Sequence, residues 1–494
     1  MNVVEPILFQ AKINPNGIAI CTPGTAMDFV TYAGLVRLID NAGHRALAMG
    51  LQPGTIVAIY VSETIFHAVL ILALARLGII TVSARTPRLP KELGVDAVIT
   101  SAPAPFEHAG RIVFADASWM LGTGEASPPT PAYRTGEDDV CRIMLTSGST
   151  GEAKAIRFTH RNVKEKIARN EYAKGNRLAT CARLFCDLGI TTGPAFRYLI
   201  FMLSRGGTIY YFGAGSESTI QAFDLYSIQT MITSPSGLVE YLKFYESQVA
   251  FRCNFDNIVS SGGLLPKSLS ERVLGRMCAH LYSSYGATET GTIAIAPAQM
   301  IADIPGAVGF VTPGASVEIV DEADNVLAIG KEGIVRTRTA QMVDGYVGNP
   351  EATTRAFRDG WFYPGDIGSL TRDGMLVIQG RHASVLNLGG DKVKPELVEE
   401  ALSAFDGIEH AAVFAHENEL GVSELWAAIV CRSASFDEAS LEAHCRQRLG
   451  HAFAPRRFVR VDSLPRSAAG KLDRLRLPEL VTRAGDNKWA GPKD

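Results

Sequence analysis

The sequence predicts an α/β protein. A large N-terminal domain of parallel-rich sheets with helices carries a β-rich subdomain and is followed by a small α+β C-terminal domain. Three observations predict this. Short β-branched runs alternate with helical patterns through the first hundred residues, at the spacing of strand–crossover–strand units. Residues 306–380 change texture to short alternating strands and turns. The last hundred residues combine strands with an amphipathic helix. At 494 residues the chain exceeds one ordinary core, so two or three domains are expected.

The elements follow in order. Thr31-Tyr32 opens a helix whose apolar residues Leu35, Leu38, Ile39 and Ala42 fall close to helical spacing, and Gly50 with Pro53-Gly54 ends it. Ile56 to Val61 is a β-branched strand. Ser62 reads as the N-cap and Glu63 as the first turn of an apolar helix reaching Leu77-Gly78. Ile79 to Val82 and Val95 to Thr100 are further strands. Residues 102–138 read as a connection. Thr159, His160 and Asn162 begin another helix. Short strands follow at Ile209 to Phe212 and Met231 to Thr233, and a third runs through Ile258 into a Ser261–Gly263 turn. In the β-rich part, Val317 to Val320, Gly333 to Arg336 and Met375 to Gln379 are strands, with Asp373-Gly374 as a hairpin turn. Pro395-Glu396 opens a helix in the favoured order. Ala411 to Phe414, Trp426 to Val430 and Pro455 to Val461 read as strands, and Asp437 to Leu449 as the amphipathic helix. A polar tail begins near residue 481.

Composition narrows the function classes. The hydrophobic fraction of 47% and charged fraction of 20% are those of a soluble globular protein. The net charge of -3, without long runs of one sign, gives no support for nucleic-acid binding or an electrostatic membrane anchor. Ala68 to Ile80 contains Arg76 and is too short to span a bilayer, so it reads as a buried helix without a transmembrane role. The N-terminus lacks the basic and apolar segments of a signal peptide. The eight cysteines form no Cys-x-x-Cys pair or zinc-spaced cluster and read as reduced thiols. A cytoplasmic protein is expected, monomeric or homodimeric.

The most informative stretch is Leu145 to Lys154, LTSGSTGEAK, behind the apolar lead-in Ile143-Met144-Leu145. Thr146, Ser147, Ser149 and Thr150 bring hydroxyls, Gly148 and Gly151 allow close backbone approach, and Lys154 brings a compact positive charge. That composition suits a polyphosphate. A Ser/Gly-rich surface turn would look similar. The stretch lacks the Gly-Lys-Ser/Thr ending of a P-loop. The order of its residues resembles the phosphate loop of the adenylate-forming superfamily: acyl-CoA synthetases, peptide-synthetase adenylation domains and luciferases. Acyl-CoA synthetases are the nearest of these.

Further segments carry the resemblance. LYSSYGATETG, Leu281 to Gly291, is similar to the superfamily's aromatic-Gly-x-Thr-Glu motif. The resemblance implies that the Ser261–Gly263 and Ser284–Gly286 turns flank adenine, using Gly262, Gly263, Ser284, Tyr285 and Gly286. It implies that Thr288 touches the α-phosphate and that Glu289 helps hold Mg²⁺. One carboxylate plus substrate phosphates suffices for a hard cation that keeps its waters. A solvated turn is the plain reading of Glu289. GWFYPGDIG, Gly360 to Gly368, resembles the Trp-x-x-x-Gly-Asp motif, with Asp366 on the ribose hydroxyls; alternatively Asp366 caps a turn. Arg381 matches the arginine that also reaches ribose or phosphates. A hinge is implied just beyond, between domains 1–382 and 383–494, although Ala383 stands where aspartate or lysine is usual, Ser384 where an aspartate is common, and Asn387 where a lysine is common. Leu388 to Pro395, with Gly389 and Gly390, resembles the glycine loop of the thiol tunnel. LPRSAAGKLDR, Leu464 to Arg474, resembles the C-terminal signature that makes Lys471 the adenylation lysine on a mobile domain. In a basic surface loop such a lysine is otherwise only solvated.

The acid pocket is the least familiar part. In LFCDLGITTG, Leu184 to Gly193, Cys186 stands where acyl-CoA synthetases usually have histidine. Asp187 stands near where amino-acid-activating members hold an ammonium, or it caps the next helix. Cys186, Asp187, Gly189 and Ala287 are the expected pocket residues. The resemblance implies an ATP- and Mg²⁺-dependent ligase that activates a small carboxylic acid as acyl-AMP and passes the acyl group to coenzyme A. The alternative is a freestanding adenylation enzyme that loads an amino or aryl acid onto a carrier protein's phosphopantetheine.

Overall fold

The computed structural model describes the chain except residues 1, 105, 108, 117, 122–129, 131–134, 147–153, 175–179, 213–216, 248–254, 382–385, 394, 432–436, 466–471, 473 and 480–494. Two large sheets form the N-terminal part. The smaller has six strands in the order Ala109–Phe114, Val95–Thr100, Ile56–Tyr60, Ile80–Ser83, Val140–Thr146 and Lys154–Thr159, parallel except for the final pair. The helix Thr64–Arg76 that crosses it is buried at every residue from Ile65 to Arg76, as its unbroken apolar sequence requires. Within it the Arg76 guanidinium meets Asp40 at 2.5 Å.

The second sheet has fifteen strands and changes character along its width. Thr208–Tyr210, Arg183–Cys186, Thr230–Thr233, Phe255–Ser261 and Cys278–Ala287 are parallel neighbours. From Gly291–Pro297 onward the pairing is antiparallel, through Ala307–Val311, Met375–Arg381 and Asp366–Leu370 to Gly333–Thr339. Buried Val, Ile and Leu fill the parallel half, and short alternating strands make the antiparallel half, which is the expected β-rich subdomain. Parallel strands place all their carboxyl ends on one edge, where ligands bind in open α/β sheets.

The C-terminal unit is a three-stranded sheet of Ile408–Glu417, Ser423–Cys431 and Arg457–Arg460. Helices Pro395–Ser403 and Glu438–Leu449 pack on it through a separate core containing Val398, Leu402, Val413, Leu441 and Cys445. Before it lies a hairpin of Leu386–Leu388 and Asp391–Val393.

Three local expectations are corrected. The helix N-cap is Glu63, not Ser62, with extended backbone and no side-chain cap bond. Residues 102–138 are not only a connection: Ala109–Phe114 is an edge strand parallel to Val95–Thr100, and Ser118–Leu121 is a short helix. The edge strand escapes pattern reading because Ile112 and Phe114 face solvent. Ser284–Gly286 is not a turn but the end of the strand Cys278–Ala287, with a bulge between Tyr285 and Gly286. Gly286 lies so close to its neighbour that a Cβ there would sit 2.1 Å from the Gly291 carbonyl oxygen.

Among the described residues no helix is long and apolar enough to cross a membrane, and the seven cysteines are free, six of them buried.

Candidate active site

Four adjacent parallel strands deliver the site at their carboxyl ends. Cys186 leads to Asp187, Thr233 to Ser234, Ser261 to Gly262-Gly263, and Ala287 to Thr288-Glu289. These ends open on a cleft of about 1720 Å³ between the large sheet and the C-terminal unit. Thr146, Lys154, Asp187, Gly262, Gly263, Ser284, Tyr285, Gly286, Ala287, Thr288, Glu289, Asp366 and Gly390 all line it. Residues from six separate segments of the sequence therefore converge.

The phosphate-loop candidate closes a β-hairpin: Thr146 and Lys154 are register partners, and the Thr146 hydroxyl donates to the Lys154 carbonyl at 3.3 Å. Ser147, Gly148, Ser149, Thr150 and Gly151 lie outside the described residues. The Lys154 ammonium sits 4.7 Å from the Tyr346 ring centroid, a cation–π distance. Burial lowers the Lys154 pKa, against the opposing pull of Glu289. The Tyr346 hydroxyl donates to Glu289 Oε1 at 2.8 Å. Lys166 donates to the Thr288 and Glu289 carbonyls at 2.9 and 3.0 Å, which pins the segment carrying both residues. Its pKa is pushed well down by burial.

Asp366 is 5% exposed and accepts a hydrogen bond from the Tyr285 hydroxyl at 2.5 Å. It begins its strand and sits across from Arg381, whose side chain is outside the described residues. A buried carboxylate facing a cleft fits a pair of sugar hydroxyls, since it accepts several bonds at once. Glu289, buried and hydrogen-bonded by the Tyr346 hydroxyl, presents a carboxylate that fits a hard cation also taking substrate oxygens and water. Among the described residues no cluster of three His, Cys, Asp or Glu forms a self-sufficient metal site.

The expected acid wall is only partly assembled. Ala287 and Asp187 line the cleft, but Cys186 is 2% exposed in the core and Gly189 sits in an exposed turn away from the lining. Asp187 is not a helix cap. Thr192 caps the helix Gly193–Ser204, while the Asp187 carboxylate takes hydrogen bonds from the Thr233 hydroxyl at 2.8 Å and the Tyr241 hydroxyl at 2.7 Å. Burial raises its pKa, and the two hydrogen bonds oppose that rise.

The hairpin Leu386–Val393 docks at the mouth of the cleft. Asn387 donates to the Gly262 carbonyl at 3.2 Å, and the Gly390 amide donates back to the Asn387 side chain at 3.0 Å. The Ser236 amide donates to the Gly389 carbonyl at 3.2 Å. Side chains would prevent this approach: a Cβ on Gly263 would lie 2.8 Å from Gly389 backbone carbon. Ala383, Ser384 and Lys471 lie outside the described residues.

Sequence reasoning did not identify Tyr346, Lys166, Ser236 or Arg197 as site residues, and it read Asn387 only as a departure. A local pattern could not have pointed to the roles of Tyr346, Lys166, Ser236 and Asn387, because their contacts span more than fifty residues.

A parallel sheet whose strand ends open on a cleft, capped by a small α+β unit, defines an α/β protein with a ligand site at its strand ends. Comparison with known proteins is more specific. The AMP-binding enzyme pattern matches residues 9–347, and the AMP-binding enzyme C-terminal domain pattern matches residues 397–471. The chain belongs to the AMP-binding, adenylate-forming enzyme family. It is similar to feruloyl-CoA synthase of Amycolatopsis, 27% identical over 489 residues, 94% of this chain and 96% of that protein. It is also similar to 2-succinylbenzoate–CoA ligase of Geobacillus kaustophilus, 29% identical over 467 residues, 92% and 93% of the two chains. The solved o-succinylbenzoate CoA synthetase of Bacillus subtilis is 21% identical and covers 96% of this chain and 98% of its own. Bound to a product analogue, it superposes with a TM-score of 0.77. The same enzyme with ATP and magnesium superposes at 0.69.

Proposed function

We propose that this protein is an ATP-dependent acid–thiol ligase: it activates a carboxylic acid as acyl-AMP, releases pyrophosphate, and transfers the acyl group to coenzyme A. The observation that carries the reading is the glycine hairpin Leu386–Val393 seated on the Gly262-Gly263 turn. It roofs the cleft where an acyl-adenylate would lie and leaves the thiol a path along backbone. The higher superposition score with the product-analogue complex supports the same arrangement. Curated relatives that are acid–CoA ligases support the acceptor.

A free carboxylate resists attack by a thiol, because its charge and poor leaving group oppose addition. In the proposed first step the carboxylate oxygen attacks the α-phosphorus of ATP in line, and the bond to the bridging oxygen of pyrophosphate breaks. Such a transfer depends on positioning and charge neutralisation. Asp366 and Arg381 orient the ribose. Thr288 meets the α-phosphate, and Thr146 to Lys154 holds the phosphates that leave. Lys471 neutralises charge developing between α-phosphate and carboxylate. When bound, magnesium neutralises charge on the leaving phosphates, and Glu289 is the residue that would hold it. In the second step the thiol sulfur adds to the acyl carbonyl and AMP leaves.

Lys471 cannot serve the first step while the glycine hairpin serves the second unless the small domain, 383–494 in this proposal, turns against residues 1–382. Asp187 is already bonded by two hydroxyls and its charge is disfavoured by burial, which argues against an ammonium partner and so against an amino-acid substrate. Pyrophosphate exchange across fatty, aryl and amino acids, followed by coenzyme A against a holo-carrier protein, tests the reading. Exchange with a fatty or aryl acid and transfer to coenzyme A are expected. Exchange with amino acids alone, transfer only to the carrier, or no exchange at all would overturn it.

A further inference from the structure

The helix Gly193–Ser204 carries an arginine that the proposed chemistry does not use. Arg197 is 9% exposed and lines the cleft. Among the described residues it makes no ion pair, and its buried Nη1 has no hydrogen-bond partner. A buried guanidinium left without an anion is costly, so its retention in a cleft wall points to a ligand that completes it.

Its place in the helix says which part of a ligand. Gly193 packs against the Thr288 side chain, with 2.9 Å between a Cβ built there and Thr288 Cγ2. Arg197 follows Gly193 by four residues, so it lies on the same helical face about 6 Å further along. Its Nη1 is 3.5 Å from a Cβ built on Gly291, three residues beyond Thr288. An acid whose reacting carboxylate lies at the α-phosphate that Thr288 meets in the proposed chemistry would run its tail past Gly193 toward Arg197.

The surroundings add positive charge. Lys166 spends its ammonium on the Thr288 and Glu289 carbonyls, and Arg169 bonds Thr312, Pro313 and Gln341. None of these described partners is a carboxylate. Glu289, the nearby carboxylate, already takes the Tyr346 hydroxyl.

We propose that Arg197 is the specificity-determining residue for the acid, and that it selects substrates bearing a second carboxylate at the end distal to the reacting one. This rests on the acid-activation reading above and names its substrate class.

Matched acids test it: octanoate against octanedioate, and 3-phenylpropanoate against its 4-carboxy derivative, with wild type, Arg197→Met and Arg197→Lys. In pyrophosphate exchange the wild type should prefer each diacid. The diacid-to-monoacid ratio of kcat/KM should fall about 10²-fold in Arg197→Met and partly recover in Arg197→Lys. Equal loss for both acids, a loss seen only in the KM for ATP, or wild-type preference for the monoacids would overturn the proposal. Thermal shift decides separately from activity. The diacids should raise the wild-type Tm and leave that of Arg197→Met in place, while the ligand-free Tm of Arg197→Met should not fall, since the charge removed was unpaired. A large ligand-free drop, or equal diacid shifts in both proteins, would refute it. If no acid supports exchange but the diacid shift still depends on Arg197, the ligase reading fails and the binding assignment stands.

Discussion

The two walls of the cleft differ in how far the protein completes its own bonding. On the nucleotide side the polar groups are already held: Tyr285 bonds Asp366, Tyr346 bonds Glu289, and Lys166 pins the carbonyls of Thr288 and Glu289. On the proposed acid side Cys186 has withdrawn into the core, Asp187 is satisfied by Thr233 and Tyr241, and among the described residues the buried Nη1 of Arg197 has no hydrogen-bond partner. A pre-satisfied wall presents fixed geometry to a ligand that is always the same. A wall with one open buried charge leaves its completion to a ligand that varies among enzymes. Preorganisation belongs to the first and selection to the second.

That contrast can be broken. Lys471→Ala should lower adenylation by about 10²–10³, the scale for losing one transition-state stabiliser. The loss should be the same for every acid and should spare thioester formation from a supplied acyl-adenylate. An effect that varied with the acid would put Lys471 on the selective side. Asp366→Ala removes a carboxylate from the proposed nucleotide wall, and with it the hydrogen bond that Tyr285 donates. It should cut kcat/KM for ATP by about 10–100-fold, the size of one charged hydrogen bond, with the KM for acid unmoved. Steady-state kinetics with each substrate varied in turn would show it, and a matching change in the KM for acid would dissolve the distinction between the walls.

Gly389→Ala touches the hairpin that belongs to neither wall. Its backbone has φ +63°, and an added Cβ would lie 2.8 Å from Val422 and 3.1 Å from the Ser236 amide. Thioester formation should slow about 10-fold, the scale of overpacking a tight contact, while pyrophosphate exchange holds. Single-turnover transfer from acyl-adenylate separates the two, and a slowed exchange would tie the hairpin to adenylation. Tyr346→Phe gives the smallest change. Loss of one hydrogen bond to Glu289 should raise the magnesium requirement about 2–10-fold, read from a magnesium titration of exchange; no shift would free Glu289 from the metal role.

The residues of the proposed nucleotide wall that line the cleft were legible because they sit in contiguous runs. LTSGSTGEAK, GATETG and FYPGD each place several candidate site atoms within a few residues of the chain. The acid wall was not. LFCDLGITTG holds the expected position, yet burial sends Cys186 inward and turns Asp187 toward Thr233 and Tyr241, outcomes that depend on strands paired from elsewhere. Arg197 reads in sequence as one charged residue in an apolar helix, which usually means a side chain reaching solvent. Only packing shows that it does not.

By itself, then, the sequence determined the α/β class, the β-rich insertion, the small α+β domain and the family's motif positions, because periodicity and motif order are local properties of the chain. The tertiary structure alone decided that Tyr346 reaches Glu289 across 57 residues, that Lys166 holds Thr288 and Glu289 across more than 120, and that Asn387 docks the glycine hairpin on Gly262 across 125. It also decided that Arg197 is buried with, among the described residues, no hydrogen-bond partner for its Nη1. Burial and partnership are set by which elements pack together, and no window of the chain contains that information.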